Sequence, residues 1–208
     1  MTQTRSRSIS APIPTSPAAQ QVFRRIKRNE RLHSDIKSLA RASGDHDYIG
    51  ANAPVEAMAA RLGFKSFDLA IADIRCSTIV TFIVVPFAIW QDKVLRGRAI
   101  KLRSEAKSAG HHVILVPQAV LQREPRLSNA RLVSRSAKLR LDATGVMSVL
   151  GHLVEHGASP VSELAELLTH FDPIGAIFGM LVNGDISIDM SEPITPMTLV
   201  DLGKRYRS

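Results

Sequence analysis

Three groups of residues in this chain have types that can do chemistry. The first is Asp68, Asp92 and Lys93, with Asp73 and Glu56 close by in sequence. Metal-dependent phosphodiester cleavage needs carboxylates that place a divalent cation beside the scissile phosphate, often with a lysine nearby. Asp68, Asp92 and Lys93 meet at one end of a sheet only if the strand between them bends. Magnesium is the cofactor this endonuclease alternative would require; otherwise no cofactor and no metal are expected. The second group is His152 and His156, four apart on an expected helix. That spacing suits a metal, but no third ligand accompanies it, and a surface or capping role fits better. His111 and His112 are adjacent and cannot face one side of a strand. The third is Cys76, the only cysteine. It excludes an intrachain disulfide and a CxxC zinc site, and no base is paired with it. The chain has no phosphate-binding glycine loop.

Charge points to a different chemistry. The formal net charge is +8 over 208 residues, and it is unevenly spread. Residues 1–44 carry nine Lys/Arg against two Asp/Glu, and residues 91–140 carry twelve against three. Residues 45–90 are near neutral, and residues 141–208 are acidic, with nine Asp/Glu against three Lys/Arg. Basic blocks attract polyanions because Lys and Arg displace counterions from phosphates. The candidate phosphate contacts are Arg24, Arg25, Lys27 and Arg28 in the first block. In the second they are Arg96, Arg98, Lys101 and Arg103, then Arg123, Arg126, Arg131 and Arg135. Such contacts hold a backbone without reading its sequence. Asn129, beside Arg126, is a candidate for a more specific contact or for a structural hydrogen bond. An acidic partner protein, or the chain's own acidic third, would satisfy the same cations.

The elements that must position these residues follow from periodicity. Residues 1–18 are rich in Ser, Thr, Pro and Arg and read as a disordered arm. Val22, Phe23, Ile26, Leu32, Ile36 and Leu39 fall near helical spacing among cations, which predicts a basic amphipathic extension over 19–44 with Asn29 as its candidate break. A loop spans Ser43 to Asn52, and a short helix runs from Val55 to Leu62. Strands are predicted at Phe67–Ile74 and Thr78–Trp90, turning at Arg75-Cys76-Ser77, with an end or bulge near Pro86. A helix over Gln91–Ala109 and a strand over His111–Val116 complete a βαβ crossover, so one strand pair should be parallel. Residues 45–133 thus form a small α/β domain, and 134–141 a linker.

Residues 142–200 carry three helix signals. Asp142 caps the first, Ser159-Pro160 starts the second, and Asp172-Pro173 starts the third. Ile186, Ile188 and Met197–Val200 supply two short strands. This order predicts a winged helix-turn-helix. Its third helix, Asp172 to Val182, contains no Arg, Lys, Asn or Gln. Base reading normally uses such side chains, so a structural or protein-binding role fits this domain better.

The strand pair, the basic helix, the strand at Val113–Val116, the run Arg123-Glu124-Pro125-Arg126-Leu127-Ser128-Asn129-Ala130 and the winged-helix pattern resemble the TnsA-like transposase endonuclease subunits over roughly residues 64–200. The resemblance implies a restriction-endonuclease-like core that cuts beside a transposon end with a separate transposase and a regulatory ATPase. It also implies an acid on one strand and an acid-x-Lys pattern on the next. Asp68 or Asp73 matches the first, but Val84 to Phe87 is apolar where the second should fall. The expected fold is therefore α/β, a small restriction-endonuclease-like mixed sheet followed by a winged helix, with cleavage lost.

Composition excludes a wholly disordered chain and a collagen, since 45% of residues are apolar. The first twenty residues carry Arg5 and Arg7 but no apolar core, so a secretory signal is not expected there, and the apolar run Thr78–Trp90 is short and holds Pro86. A cytoplasmic protein without a membrane partner is expected. Three functions remain: a non-catalytic DNA-associated accessory or regulatory protein with weak sequence preference, an endonuclease subunit of a transposition system, and a protein-interaction scaffold without nucleic acid.

Overall fold

The computed structural model describes residues 16–206. Most of the arm expected at 1–18 lies outside them, but its last two residues, 17 and 18, open a helix. That helix, α1 (Pro17–Ala42), is continuous through Asn29. Ser16 accepts from the Ala19 N–H, and Pro17 has no N–H to lose at the first turn. Asn29 does not break the helix, because its amide is drawn sideways to the Leu69 carbonyl at 2.7 Å.

A mixed four-stranded sheet follows, in the order β1 (Asp47–Gly50), β2 (Ala70–Arg75), β3 (Ile79–Val85), β4 (Val113–Pro117). The first two pairings are antiparallel. The β3–β4 pair is parallel, as the crossover requires. Between β1 and β2 lies α2 (Ala53–Arg61), and between β3 and β4 lie α3 (Phe87–Gln91) and α4 (Lys93–Ser108). Three expectations change here. The loop at 43–52 contains β1. Residues 66–69 form a turn, so Asp68 precedes β2 rather than opening it. β3 ends at Val85, before Pro86 as expected, so it does not reach Trp90, and the apolar residues after Pro86 coil into α3.

The two faces of the sheet are covered by different elements. Ala70, Ala72 and Ile74 of β2 and Val84 of β3 face Leu32, Ile36 and Ala40 of α1. Ile71, Ile83 and Val85 face Val55 and Ala59 of α2 and Ala99, Leu102 and Ala106 of α4. A strand buried on both faces reads as one continuous apolar run, which is why β3 shows no alternation. Each fully buried Leu or Ile contributes about 1.5–3 kcal/mol.

After β4 come α5 (Gln118–Leu121) and α6 (Arg126–Arg135), which packs along α1. The last part contains α7 (Ala143–His156), β5 (Ser159–Pro160), α8 (Val161–Glu166), α9 (Pro173–Val182), β6 (Ile186–Ile188) and β7 (Leu199–Leu202). Its antiparallel sheet has the order β5-β7-β6. Asp142 and Asp172 cap α7 and α9 as expected. Ser159 does not cap α8; it lies in β5, and its hydroxyl donates to the Gly157 carbonyl.

The second core is not self-contained. Ala42 of α1 and Ala130 and Val133 of α6 are buried in it with Ile177, Phe178 and Leu181 of α9. The predicted linker 134–141 begins in α6 and then lies against α9. A Cβ added at Gly179 would collide with the Leu139 carbonyl. The ends of α1 and α9 also meet closely. Gly44, at φ +69°, sits where a Cβ would be 2.7 Å from the Leu181 carbonyl oxygen. Only glycine suits both that φ and that approach.

Candidate nucleic-acid interface

The fold splits the second basic block. Arg96, Arg98, Lys101 and Arg103 lie on α4, and Arg123, Arg126, Arg131 and Arg135 lie on or just before α6. Because α4 and α1 cover opposite faces of the sheet, the α4 cations are separated from Arg24, Arg25, Lys27 and Arg28 of α1. The α6 group is instead beside α1. So of these candidates the structure brings Lys27 and Arg28 together with Arg131, and leaves the α4 group on the other face of the sheet.

A cleft of about 460 Å³ runs between α1, α5 and α6. Lys27, Arg28 and Arg31 form one wall, Arg131 and Leu127 the other, and Gln118 and Gln122 part of the floor. Helical geometry sets Lys27, Arg28 and Arg31 within one turn on neighbouring positions. The floor is a chain of hydrogen bonds. The Phe87 N–H donates to Gln118 Oε1 at 3.2 Å, and Gln118 Nε2 donates to Gln122 Oε1 at 2.8 Å. Gln122 Nε2 donates to Asp35 Oδ2 at 2.9 Å. Asp35 Oδ1 accepts from Arg131 Nη2 at 2.6 Å and Nε at 3.1 Å. Asp35 is 1% exposed, and these donors satisfy both of its carboxylate oxygens. Arg131, expected as a phosphate contact, is thereby tied to the protein's own carboxylate.

The α1 wall is less satisfied. Lys27 pairs with Glu30 at 2.8 Å across an exposed surface. Arg25 is 3.6 Å from Asp68. Arg24 is exposed on the same helix. Arg31 has no ion pair among the described residues and is exposed. Arg28 is half-buried, and its Nε is the one buried side-chain nitrogen or oxygen without a hydrogen-bond partner among the described residues. Burial, and then the neighbouring Arg25, lower the Arg28 pKa from its ordinary value, with Asp68 opposing. An orphaned buried donor is uncommon and calls for a partner. Glu124, the one acid in the cleft lining, is already bound by the Ser128 N–H and hydroxyl, which hold its carboxyl below the usual range.

Arg123 and Arg126 are exposed and line a second hollow of about 500 Å³, toward Asp189–Ser191. Arg135 is exposed at the end of α6. Asn129 is structural: it donates to the Met190 and Glu192 carbonyls at 3.2 and 2.7 Å and accepts from the Ile194 N–H at 3.1 Å. It fastens α6 to the segment after β6. On α4, Arg98, Lys101 and Arg103 are exposed, with Lys101 3.8 Å from Glu105; Arg96 donates to the Trp90 carbonyl at 3.4 Å.

The carboxylates of the first constellation are held separately. Asp68 Oδ2 accepts from the Lys65 N–H at 2.9 Å. Asp92 caps α4, accepting from the Val94 and Leu95 N–H groups at 2.8 and 3.0 Å. Lys93 is exposed at the first turn of that helix. Asp73 lies on β2 opposite Thr81, whose hydroxyl donates to it at 2.7 Å, and Asn52 donates to it at 3.0 Å. Among the described residues no three or more His, Cys, Asp or Glu are grouped to hold a metal ion. His152 Nε2 lies 3.0 Å from Glu163 and 3.1 Å from the Ser159 hydroxyl, and its ring is 4.6 Å from that of His156. Burial pushes the Cys76 thiol pKa up, away from reactivity.

Arg31, Gln118, Gln122 and Asp35 were not among the sequence candidates. Arg31 had a signal, four residues after Lys27 on the same helix face. The other three had none, because the floor assembles from segments 87 residues apart. No helix of the described residues is long and apolar enough to cross a membrane. No family model, no curated protein and no solved structure matches this chain.

Proposed function

We propose that this chain is a non-catalytic DNA-associated accessory protein that holds duplex phosphates along the α1–α6 side. The observation that carries the reading is the cleft itself. Cations from two blocks about a hundred residues apart in sequence line one concavity, and the α1 members have few protein anions to neutralise them. Binding of this kind is salt-sensitive and weakly sequence-specific.

Two further features support it. The sheet order, with its single parallel pair after the crossover, fits a restriction-endonuclease-like core of the kind the TnsA-like resemblance implies. The order α7, β5, α8, α9, β6, β7 fits a winged helix. Its third helix is buried from Gly175 to Leu181, so that domain serves as structure or as a protein contact, not as a base reader. Asp68 and Asp92 are engaged by backbone N–H groups in different elements, which favours binding over cleavage.

Fluorescence anisotropy with a random-sequence duplex across a salt series tests this reading. The expected result is measurable binding at low salt that weakens steeply as salt rises. Absence of binding at low salt would remove it and leave the scaffold alternative.

A further inference from the structure

We infer that the cavity between the C-terminal half of α1, the sheet and α5 is a binding site for a medium-chain carboxylate. The site is separate from the duplex cleft and shares no lining residue with it. α1 covers Ala70, Ala72 and Ile74 of β2 and Val84 of β3, and it ends at Ala42. Phe82 of β3 and Val116 of β4 lie on the same face of the sheet and are only half-buried. α5 stands beside them, with Val120 62% exposed. These elements enclose a cavity of about 270 Å³. Ile36, Ala40 and Ile74 are its buried lining, and Ser43, Val120 and Arg126 are exposed at its rim.

Two properties select the ligand. The first is apolar volume. A cavity of about 150 Å³ holds benzene, a molecule of about six non-hydrogen atoms. In that proportion, about 270 Å³ holds about ten or eleven such atoms, the size of an eight-carbon carboxylate. Ligand sites combine apolar walls of this kind with a few polar groups that orient the ligand. The second is charge. Among the described residues, Arg126 is the one Lys or Arg of the lining, and no Asp or Glu lines the cavity. Arg126 also lines the neighbouring hollow, where Arg123, Glu124 and Asp189 are found. Ser128 binds Glu124 through its N–H and hydroxyl, and Ser191 binds Asp189 in the same way. Neither acid pairs with Arg126, which has no ion pair among the described residues. The other polar groups at the rim are engaged: the Ser43 hydroxyl donates to the Ala40 carbonyl at 2.6 Å and contacts His46 Nδ1. A guanidinium binds a carboxylate through two parallel hydrogen bonds. The carboxylate therefore sits at Arg126, and the alkyl chain runs inward against Phe82 and Val116.

The test uses the full chain and Cys76, its only cysteine, which lines the cavity. A thiol reagent labels Cys76 at alkaline pH, where the thiolate forms, and the rate is followed with alkyl probes kept below their micelle concentrations. Octanoate at about ten times its dissociation constant should slow labelling roughly tenfold, because only the ligand-free fraction reacts. Affinity should rise about threefold to fourfold with each methylene from butanoate to octanoate, and level off by dodecanoate as the volume is used up. Octanoate should bind about tenfold more tightly than octanol, the worth of one charge-assisted hydrogen bond, and octylamine more weakly than either. In thermal unfolding, octanoate should raise the midpoint of the native chain and not that of Val116→Phe, whose larger side chain takes up the volume. If Val116→Phe does not fold, Val120→Trp at the exposed rim takes its place. Protection of Cys76 that follows protein concentration and not octanoate would place a second copy over the cavity and overturn the assignment. Octylamine binding as tightly as octanoate, or no protection by any alkyl probe, overturns it too. Neither variant removes a cleft cation and no readout uses DNA, so the carboxylate site and the duplex-binding reading fail separately.

Discussion

The α1–α6 cleft and the α4 surface are both dense in cations, yet they are built differently. On α4 the cations stand outward from a convex helix whose Ala99, Leu102 and Ala106 face the core, and Lys101 has only an exposed ion pair. Around the cleft, a hydrogen-bonded floor holds Arg131, and Arg28 is partly desolvated with an unmet donor. Water and salt screen the first arrangement. The second keeps its groups oriented and makes an incoming anion the natural partner. Two segments that are both basic in sequence can therefore present their cations in unequal settings.

The largest expected effect breaks the cleft floor. Asp35→Ala leaves the part-buried Arg131 and Gln122 without their acceptor, and should destabilise the chain by about 3 kcal/mol in urea unfolding. Glu105→Ala removes the exposed partner of Lys101 on α4 and should change stability by less than about 0.5 kcal/mol. Equal effects would contradict the contrast between the two regions.

Next is the attachment of the cleft wall. Asn129→Ala removes three hydrogen bonds that hold α6 to residues 190–194, at a cost of about 2 kcal/mol. Among the described residues no side-chain hydrogen bond or ion pair ties α4 to residues 142–206. Proteolysis of the 189–196 segment should accelerate in this variant and not in Arg103→Ala.

The smallest effect is a pH dependence on the buried side of α1. His33 is hydrogen-bonded to the Tyr48 hydroxyl at 3.1 Å, and burial lowers its pKa below the ordinary value. The unfolded chain therefore takes up a proton at His33 before the folded chain does. Its contribution to stability is present above the unfolded pKa of about 6.5 and shrinks as pH falls through that value toward the lower folded one. The native chain should lose more stability between pH 7.5 and 5.0 than His33→Gln, measured by urea midpoints.

Much of the sheet was legible in the sequence. The unbroken apolar run of β3 and the helix before Val113 specified a parallel crossover, because a doubly covered strand and a long connection have few other arrangements. The boundaries were less legible. β1 is four residues with a half-exposed pattern, too short to show alternation, and α3 is an apolar segment that Pro86 separates from the strand. The cleft was legible only as charge. Arg28 and Arg131 both stood in basic runs, and nothing local revealed that one would be tied to Asp35 and the other left unpaired. That distinction depends on α1 and α6 lying side by side, which is a tertiary fact. Asn129 shows the same gap: its polar side chain follows Ser128 in a helix, and only the fold supplies the three backbone partners.

On the proposed function, duplex DNA lies along the cleft and not along the α4 face. The most direct test is a salt series of duplex binding for three proteins: the native chain, Lys27→Gln/Arg31→Gln, and Arg98→Gln/Arg103→Gln. Each pair removes two positive charges from an exposed helix surface, so net charge is matched. The cleft pair should weaken binding about tenfold and flatten the salt slope by roughly one to two, and the α4 pair should leave both within about threefold and half a slope, as expected when phosphate contacts sit on one side. Equal losses from the two pairs, or a larger loss from the α4 pair, would contradict the account.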